Sequence, residues 1–315
     1  MNLFTSVFRL TETRVAVCLV LFLLALEGFF RVSGARLSAD AVKIEKIAEV
    51  AAKLHLASPP RVLMLGNSIL AAGVDTARLQ AGMNVEQEAR DWAVEAVTPD
   101  SSHVTIWDYL YSRYFVGPDQ APEELVLVTG RMHLVDAPAN LSHLAAYYVA
   151  NRDLGRFFAE DTQSLEQRLE FLLGRWYAPM RFRQRVSPRV FDVLLPNYQE
   201  NWHILNQASL NTPLAVRKHE GDEAATTRHL GHLLNLAREK GTRVTVVLAP
   251  MPKPYELHPA VQLKLEEAGV RVVDVNPVPG LGEAHFADAD HLNEAGKELF
   301  TEALIPALAK VLSIP

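Results

Sequence analysis

The chain opens on a dense apolar run, Val15 to Leu26, with Arg9 and Arg14 ahead of it and Glu27-Gly28-Phe29-Phe30-Arg31 behind it. Counted through Phe30 or Val32, the run reaches the ~17 residues that a short spanning helix needs, with Glu27 near the interface. It is read as a retained membrane anchor, so that residues 1–35 form a cytoplasmic tail and a single membrane helix. A cleaved secretory signal is the second choice. Ser33-Gly34-Ala35 are small enough for a peptidase, but the bulky Phe29-Phe30-Arg31 just before them is unfavourable for cleavage. A buried helix of a soluble protein comes third. Both of the first two readings carry the rest of the chain to the periplasmic or extracellular side, although Arg31 and Arg36 on one side balance Arg9 and Arg14 on the other.

From Ala39 to Leu56 the apolar positions Val42, Ile44, Ile47, Val50, Ala51 and Leu54 recur at helical spacing, which predicts a helical stalk over residues 36–58 ending at Ser58-Pro59-Pro60. The pattern then changes. Short β-branched runs predict strands at Arg61–Leu65, Glu88–Val94, Leu125–Val128, Arg243–Leu248 and Val270–Val275, separated by helical stretches. Strands that are apolar almost throughout need cover on both faces, so the predicted class is α/β: a three-layer α/β/α sandwich on a five-stranded parallel sheet. Helices are expected after Asp75, from a Ser101 or Ser102 cap to Arg113, over Ala224–Lys240, and after an Asn293 cap. The last carries an apolar stripe of Leu299, Phe300, Ala303, Leu304, Ala307, Leu308 and Val311. The block at about 138–217 is too long for a simple crossover. It reads as an insertion in a domain spanning 59–315, with helices at Leu144–Phe158 and Ser164–Trp176 and a proline-punctuated stretch after them.

Composition adds limits. The 315 residues, 49% hydrophobic and 22% charged, are enough for a sizeable core. A net charge of -6 leaves no basic footprint, which argues against a nucleic-acid partner. Cys18 is the only cysteine, so no internal disulfide can form.

The candidate chemistry lies in two distant segments. Ser68 follows the first strand in Leu65-Gly66-Asn67-Ser68, where Gly66 permits a tight exit from the strand and a helix begins. Asp288 and His291 sit between the fifth strand and the last helix. Both loops fall at the carboxyl edge of the predicted sheet, where ligands of open α/β sheets bind. Together they supply a hydroxyl nucleophile, an imidazole base and a carboxylate to orient it, the minimum set for acyl transfer.

Gly66-Asn67-Ser68 behind an apolar strand resembles the Gly-Asp-Ser block of the SGNH (GDSL-like) hydrolase superfamily, with Asn in place of Asp. Asp288-Ala289-Asp290-His291-Leu292-Asn293-Glu294-Ala295-Gly296 resembles its closing Asp-x-x-His block. The resemblance runs from about Pro60 to the C-terminus, with the insertion poorly matched. It implies a flavodoxin-like fold, Ser68 as nucleophile, His291 as general base and Asp288 as its orienting partner, with Asp290 a neighbour. It also implies oxyanion donors after the second and third strands, and there the chain departs. Ala93 to Thr98 has no glycine, leaving Ala96 as the stand-in. Thr129-Gly130-Arg131-Met132-His133 puts Met132 where the family has Asn, with Arg131 or His133 as replacement and Gly130 as donor or strand-ending turn. Gly66, Asn67, Ala96, Gly130 and Arg131 thus make up the oxyanion and substrate-binding set. The α/β-hydrolase elbow fits less well, having Leu70 where it needs glycine.

Membrane-tethered proteins with a helical insertion resemble those that move or remove O-acetyl groups on bacterial surface polysaccharides. This implies an ester hydrolase or O-acyltransferase acting on acylated carbohydrate, served by a membrane-bound acyl-donor protein. The alternative is a catalytically weak SGNH-like scaffold in a polysaccharide modification or export assembly. Glu283, His285, Asp288, Asp290 and His291 are also a cluster of metal-ligand types, but a metal site would leave Gly66-Asn67-Ser68 unexplained, so neither a metal nor a cofactor is expected. His229 and His232, one turn apart, read as a solvated helix face. Arg181, Arg183, Arg185 and Arg189, interleaved near Trp176, Tyr177 and Phe182, read as an exposed helix end paired with Glu166 and Glu170; anionic polysaccharide or lipid is the second reading.

Overall fold

Strand β1, Arg61–Leu65, is buried along its whole length because both faces of the sheet are covered. The computed structural model describes residues 3–37, 39–87, 91–198, 200, 201, 204 and 225–313. Within them β1 is joined by β2 (Ala93–Val97), β3 (Glu124–Thr129), β4 (Arg243–Leu248) and β5 (Arg271–Asp274) in one parallel sheet of order β2-β1-β3-β4-β5. Alternation along the strands divides the core. Leu63, Leu65, Leu125, Leu127 and Val246 point to one layer, built from α2 (Ala39–Glu45), α3 (Ile47–Leu56), α6 (Val104–Phe115), α11 (Arg228–Glu239) and α12 (Pro259–Ala268). Val62, Met64, Val126, Val128, Val247 and Val273 point to the other, built from α4 (Ser68–Gly73), α5 (Thr76–Glu86) and α13 (Glu294–Ser313). This is the expected three-layer α/β/α sandwich.

The expected stalk is part of that sandwich. Ala41, Ile44, Ile47 and Leu54 of α2 and α3 are buried in the same core as Leu63 and Leu125, so residues 39–56 are a helical layer of the domain. Strand β2 lies downstream of its expected place at Glu88–Val94, whose residues 88–90 lie outside the described ones. Helix α6 starts at Val104 because Ser102 is otherwise engaged: its hydroxyl donates to the Gly66 carbonyl at 3.2 Å and accepts the Trp107 indole N–H at 2.8 Å.

The insertion follows β3. The helix expected over Leu144–Phe158 is broken into a short α7 (Leu141–His143), a π turn (Leu144–Tyr148), a 3₁₀ turn (Asn151–Asp153) and α8 (Leu154–Glu160). Arg175 reaches in and donates to the carbonyls of Ala145 and Val149 at 3.2 and 3.1 Å, taking acceptors that a continuing helix would use. Helix α9, Leu165–Trp176, matches the helix expected over Ser164–Trp176, with Ser164 standing as its cap. The proline-punctuated stretch is instead a 17-residue helix, α10 (Ala178–Leu194), which accommodates Pro179 in its first turn, where no N–H is needed. Residues 199, 202, 203 and 205–217 of the expected insertion lie outside the described ones.

Of the two histidines of α11 expected on a solvated face, His229 is buried, while His232 is half-exposed and paired with a carboxylate. The fully buried Asp108 carboxylate lies 2.8 Å from His229 Nδ1, 2.5 Å from His232 Nδ1 and 2.7 Å from Arg156 Nη1, while His229 Nε2 is 3.0 Å from Asp161. Asp136 caps α11 from outside, accepting the N–H groups of Arg228 and His229 at 3.0 and 3.1 Å. Ahead of the domain, α1 runs Leu3–Ser33, and Thr11–Ser33 is long and apolar enough to cross a membrane.

Candidate active site

The exit from β1 is built by two residues. A Cβ on Gly66 would stand 2.7 Å from Leu70 Cβ and 3.1 Å from the Val128 carbonyl oxygen, so glycine is what lets the chain turn this close to β3. Asn67, buried, then caps α4. Its Oδ1 accepts the Ile69 N–H at 2.9 Å and its Nδ2 donates to the Ser102 carbonyl at 3.0 Å. Both ends of the amide are thus committed to the turn, which corrects the expectation of Asn67 as an oxyanion or substrate donor: it positions Ser68. Asn67→Ala is expected to cost ~1–2 kcal/mol of stability from the lost cap and tether. Denaturant titration of the variant against the parent would show that loss.

His291 comes from the loop between β5 and α13. An antiparallel bridge between Phe286 and Leu292 closes the loop, and the Ala287 N–H donates to the His291 carbonyl at 2.8 Å. Asn293 caps α13 as expected, accepting the Gly296 N–H at 3.0 Å. Inside the loop, Asp288 Oδ1 accepts the N–H groups of Asp290 and His291 at 2.9 and 2.8 Å, an Asx-type turn. Both carboxylate oxygens lie 2.9 Å from His291 Nδ1. On the other side of the ring, Nε2 is 2.8 Å from Ser68 Oγ. The three residues named from the sequence therefore form one continuous hydrogen-bonded chain.

Burial pushes the Asp288 carboxyl up, but the Asp290 N–H, the His291 ring and the His291 N–H outweigh it and hold the group below the usual carboxylate range. At neutral pH Asp288 is ionised and only accepts. The proton of a neutral His291 ring is then on Nδ1, and the Nε2 lone pair faces the Ser68 hydroxyl, which donates to it. Asp288 and His291 keep 45% and 31% of their side chains exposed, so the chain of groups opens to solvent.

The remaining expectations are revised. Ala96 lies inside β2, paired in register with Met64, rather than past the strand's end, because the strand runs on to Val97, whose carbonyl accepts the Gly66 N–H at 3.2 Å. Gly130 does end β3, but its N–H is donated to His133 Nδ1 at 3.1 Å and Met251 fills the space where a Cβ would go, so it is a strand-ending turn and not a donor. Arg131 is exposed, and Met132 packs against the core. The ring of His133 is the polar group this loop brings inward. Burial pushes its pKa down, and Asp290 and His291 lie close enough to act on its charge. With Nδ1 accepting from Gly130, the neutral ring carries its proton on Nε2.

His285 Nδ1 accepts the Gly282 N–H at 3.0 Å and so serves its own turn. Among the described residues no three His, Cys, Asp or Glu side chains are grouped to hold a metal. Beside the histidine loop, a cleft of about 500 Å³ opens at the carboxyl ends of β4 and β5, walled by Met251, Tyr255, Asn276, Leu281 and Phe286. A second cavity of about 450 Å³, at Thr242, Arg243 and Gly269, lies at the opposite edge of the sheet from Ser68.

No protein-family model and no curated protein matches the chain. Among solved structures it is similar to LAE5, an alpha/beta hydrolase from the metagenome of Lake Arreo, Spain, at 13% identity over 81% of this chain and 97% of that one, TM-score 0.42. It is similar also to Axe2, an acetylxylan esterase from Geobacillus stearothermophilus, at 11% identity over 81% and 96%, TM-score 0.40. A GDSL-like lipase from Bacteroides thetaiotaomicron is similar at 11% identity over 85% and 98%, TM-score 0.36.

Proposed function

We propose that this protein is a serine-dependent ester hydrolase or O-acyltransferase of SGNH type that works through an acyl-enzyme on Ser68. The observation that carries the reading is the chain Asp288–His291–Ser68, with contacts of 2.9 and 2.8 Å between groups 223 positions apart in the case of serine and histidine. Ser68 Oγ attacks the ester carbonyl carbon while its proton passes to His291 Nε2. Asp288 stabilises the imidazolium that forms, without taking its proton. The tetrahedral intermediate collapses as His291 returns the proton to the leaving alcohol oxygen, leaving the acyl group on Ser68. Water or a sugar hydroxyl then attacks, again giving its proton to His291. The products are a carboxylic acid in the first case and a new ester in the second, and Ser68 recovers its proton.

The intermediate's negative oxygen requires donors. The Ser68 N–H, at the first position of α4, is one. The Nε2–H of His133 takes the place of the Asn side chain that Met132 lacks. His133→Ala is expected to lower kcat about 100-fold with KM nearly unchanged. A thermal melt of the same variant separates this from a loss of folding.

The substrate class in this reading is acetyl esters of cell-surface polysaccharide. Its supports are the resemblance of the serine and histidine blocks, the exposure of Asp288 and His291, which suits a short acyl group on a bulky alcohol, and α1, read as a retained anchor that holds the domain at the outer membrane surface next to a membrane-bound acyl donor. The test is release of acetate from a small activated ester and from acetylated oligosaccharide by the full-length protein in detergent, with and without added oligosaccharide acceptor. A hydrolase releases acetate at a rate that ignores the acceptor, whereas a transferase diverts the acyl group to it. Folded protein that does neither is the scaffold.

A further inference from the structure

The membrane helix and the insertion form one junction. Glu27, an acid near the end of the apolar run, is tied to the insertion: its Oε2 accepts the Ala178 N–H at 2.7 Å, capping α10 from another helix, and its Oε1 lies 2.6 Å from Arg31 Nε. Arg31 Nη2 donates to the Trp176 carbonyl at 3.3 Å. Phe182 of α10 stacks on Phe30 with ring centroids 6.2 Å apart and planes 15° from parallel, and Gly34 backs onto the same Phe182 ring, where a Cβ would collide. The junction of α9 and α10 is therefore fixed at the level of Glu27 to Gly34, where α1 ends.

Helix α9 carries an apolar stripe that the protein does not cover. Leu165, Leu169, Leu173 and Trp176, spaced four, four and three residues, share one face and are 72%, 50%, 48% and 66% exposed. The opposite face, with Phe171 and Gly174, is buried in the insertion. Single exposed leucines are ordinary on a surface; four in one row mark a contact surface. The row ends at Trp176, beside the end of the membrane helix, and tryptophan gathers at lipid–water boundaries.

We infer that α9 lies in the bilayer surface with its Leu165–Trp176 stripe against the acyl-chain boundary, so that the insertion clamps the hydrolase-like domain to the membrane at a fixed height. The inference rests on the reading of α1 as a retained anchor. The contact rests on the apolar row rather than on charge, because the three arginines nearest the stripe whose side chains are described, Arg168, Arg175 and Arg183, are engaged by the protein; the side chains of Arg185 and Arg189 lie outside the described ones. Arg168 donates to Thr162 Oγ1 and the Phe158 carbonyl, Arg175 to Ala145, Val149 and Asn151, and Arg183 pairs with Glu170 at 3.2 Å. Neutral phosphatidylcholine is thus a sufficient surface.

Cys18, the only cysteine, lies exposed on α1 and makes the test direct. Full-length protein in phosphatidylcholine vesicles is spin-labelled at Cys18, or, in a Cys18→Ser chain, at Leu169→Cys or at Leu263→Cys, an exposed leucine of α12 that serves as the aqueous reference. Collision rates with oxygen, which partitions into lipid, and with a water-soluble nickel chelate are compared. The expected result is an oxygen-to-nickel ratio highest at position 18 and several-fold higher at 169 than at 263. A ratio at 169 equal to that at 263, with Cys18 still deep, overturns the inference while leaving the anchor standing, and gives the stripe to a protein partner. A nickel-accessible Cys18 overturns the anchor reading and the inference with it.

Discussion

Ser68→Ala and His291→Ala are each expected to lower turnover of a small activated acetate ester by about 10⁵- to 10⁶-fold, and the double variant by no more than either alone. The reason is the single path of the proton. Ser68 Oγ is a useful nucleophile only while Nε2, 2.8 Å away, accepts its proton, and the imidazole has no task once the hydroxyl is gone. Asp288→Ala is expected to cost less, about 10⁴-fold, because it removes the orientation and charge support of the ring and not the base itself. Initial rates of the full-length variants against the parent, with melts to confirm folding, check all three. Equal small losses in the three would mean that the groups do not act as a unit.

The second large effect is on stability. Asp108→Ala is expected to destabilise the domain by ~3–5 kcal/mol, because it leaves His229, His232 and Arg156 facing an uncompensated cavity. Burial pushes the Asp108 carboxyl up, but its bonds to His229 and His232 and the charge of Arg156 prevail and bring it down to about 2. For His229, burial pushes the pKa down, but the flanking Asp108 and Asp161 prevail and raise it to about 9. A group raised in the folded state stabilises fully below its unfolded pKa and loses that contribution as pH rises through the folded value. The His229 contribution is therefore complete below about 6.5 and disappears toward pH 9, whereas that of Asp108, being depressed, is complete above about 4 and is lost as pH falls toward 2. Urea midpoints of the parent should decline from pH 6.5 to 9, and His229→Gln should flatten that decline. A parallel decline in the variant would place the pH dependence elsewhere.

What could be read from the sequence depended on how local each cause is. Strands β1 and β4 stood out because both lie inside the sheet and bury apolar side chains on each of its faces, so their apolar runs have clear ends. Strand β2 is one edge of the sheet, with Ala93, Glu95 and Ala96 only partly covered, and its weak pattern placed it too early. Asp75 and Asn293 cap helices that follow them directly and were legible for that reason. Helix α11 is capped by Asp136, about ninety positions upstream, and no local pattern announces that. The same division runs through the site. The Asp-x-x-His turn is a local unit, and Ser68 is placed by the strand it follows, so the hydrogen-bonded set of Asp288, His291 and Ser68 was recoverable. The oxyanion set was not, since it depends on where β2 ends and on which group receives the Gly130 N–H. The burial of His229 and the pairing of His232 were hidden likewise, because their carboxylate partners lie on α6 and in the loop after α8.

The central claim is that Ser68 is an activated nucleophile, and the most direct measurement is the intact mass and peptide map of the full-length protein after treatment with a fluorophosphonate serine probe. One adduct per chain on the peptide containing Ser68, formed at least tenfold more slowly in His291→Ala, is the predicted result. A folded parent left unmodified at Ser68, or modified equally fast without His291, would contradict the account.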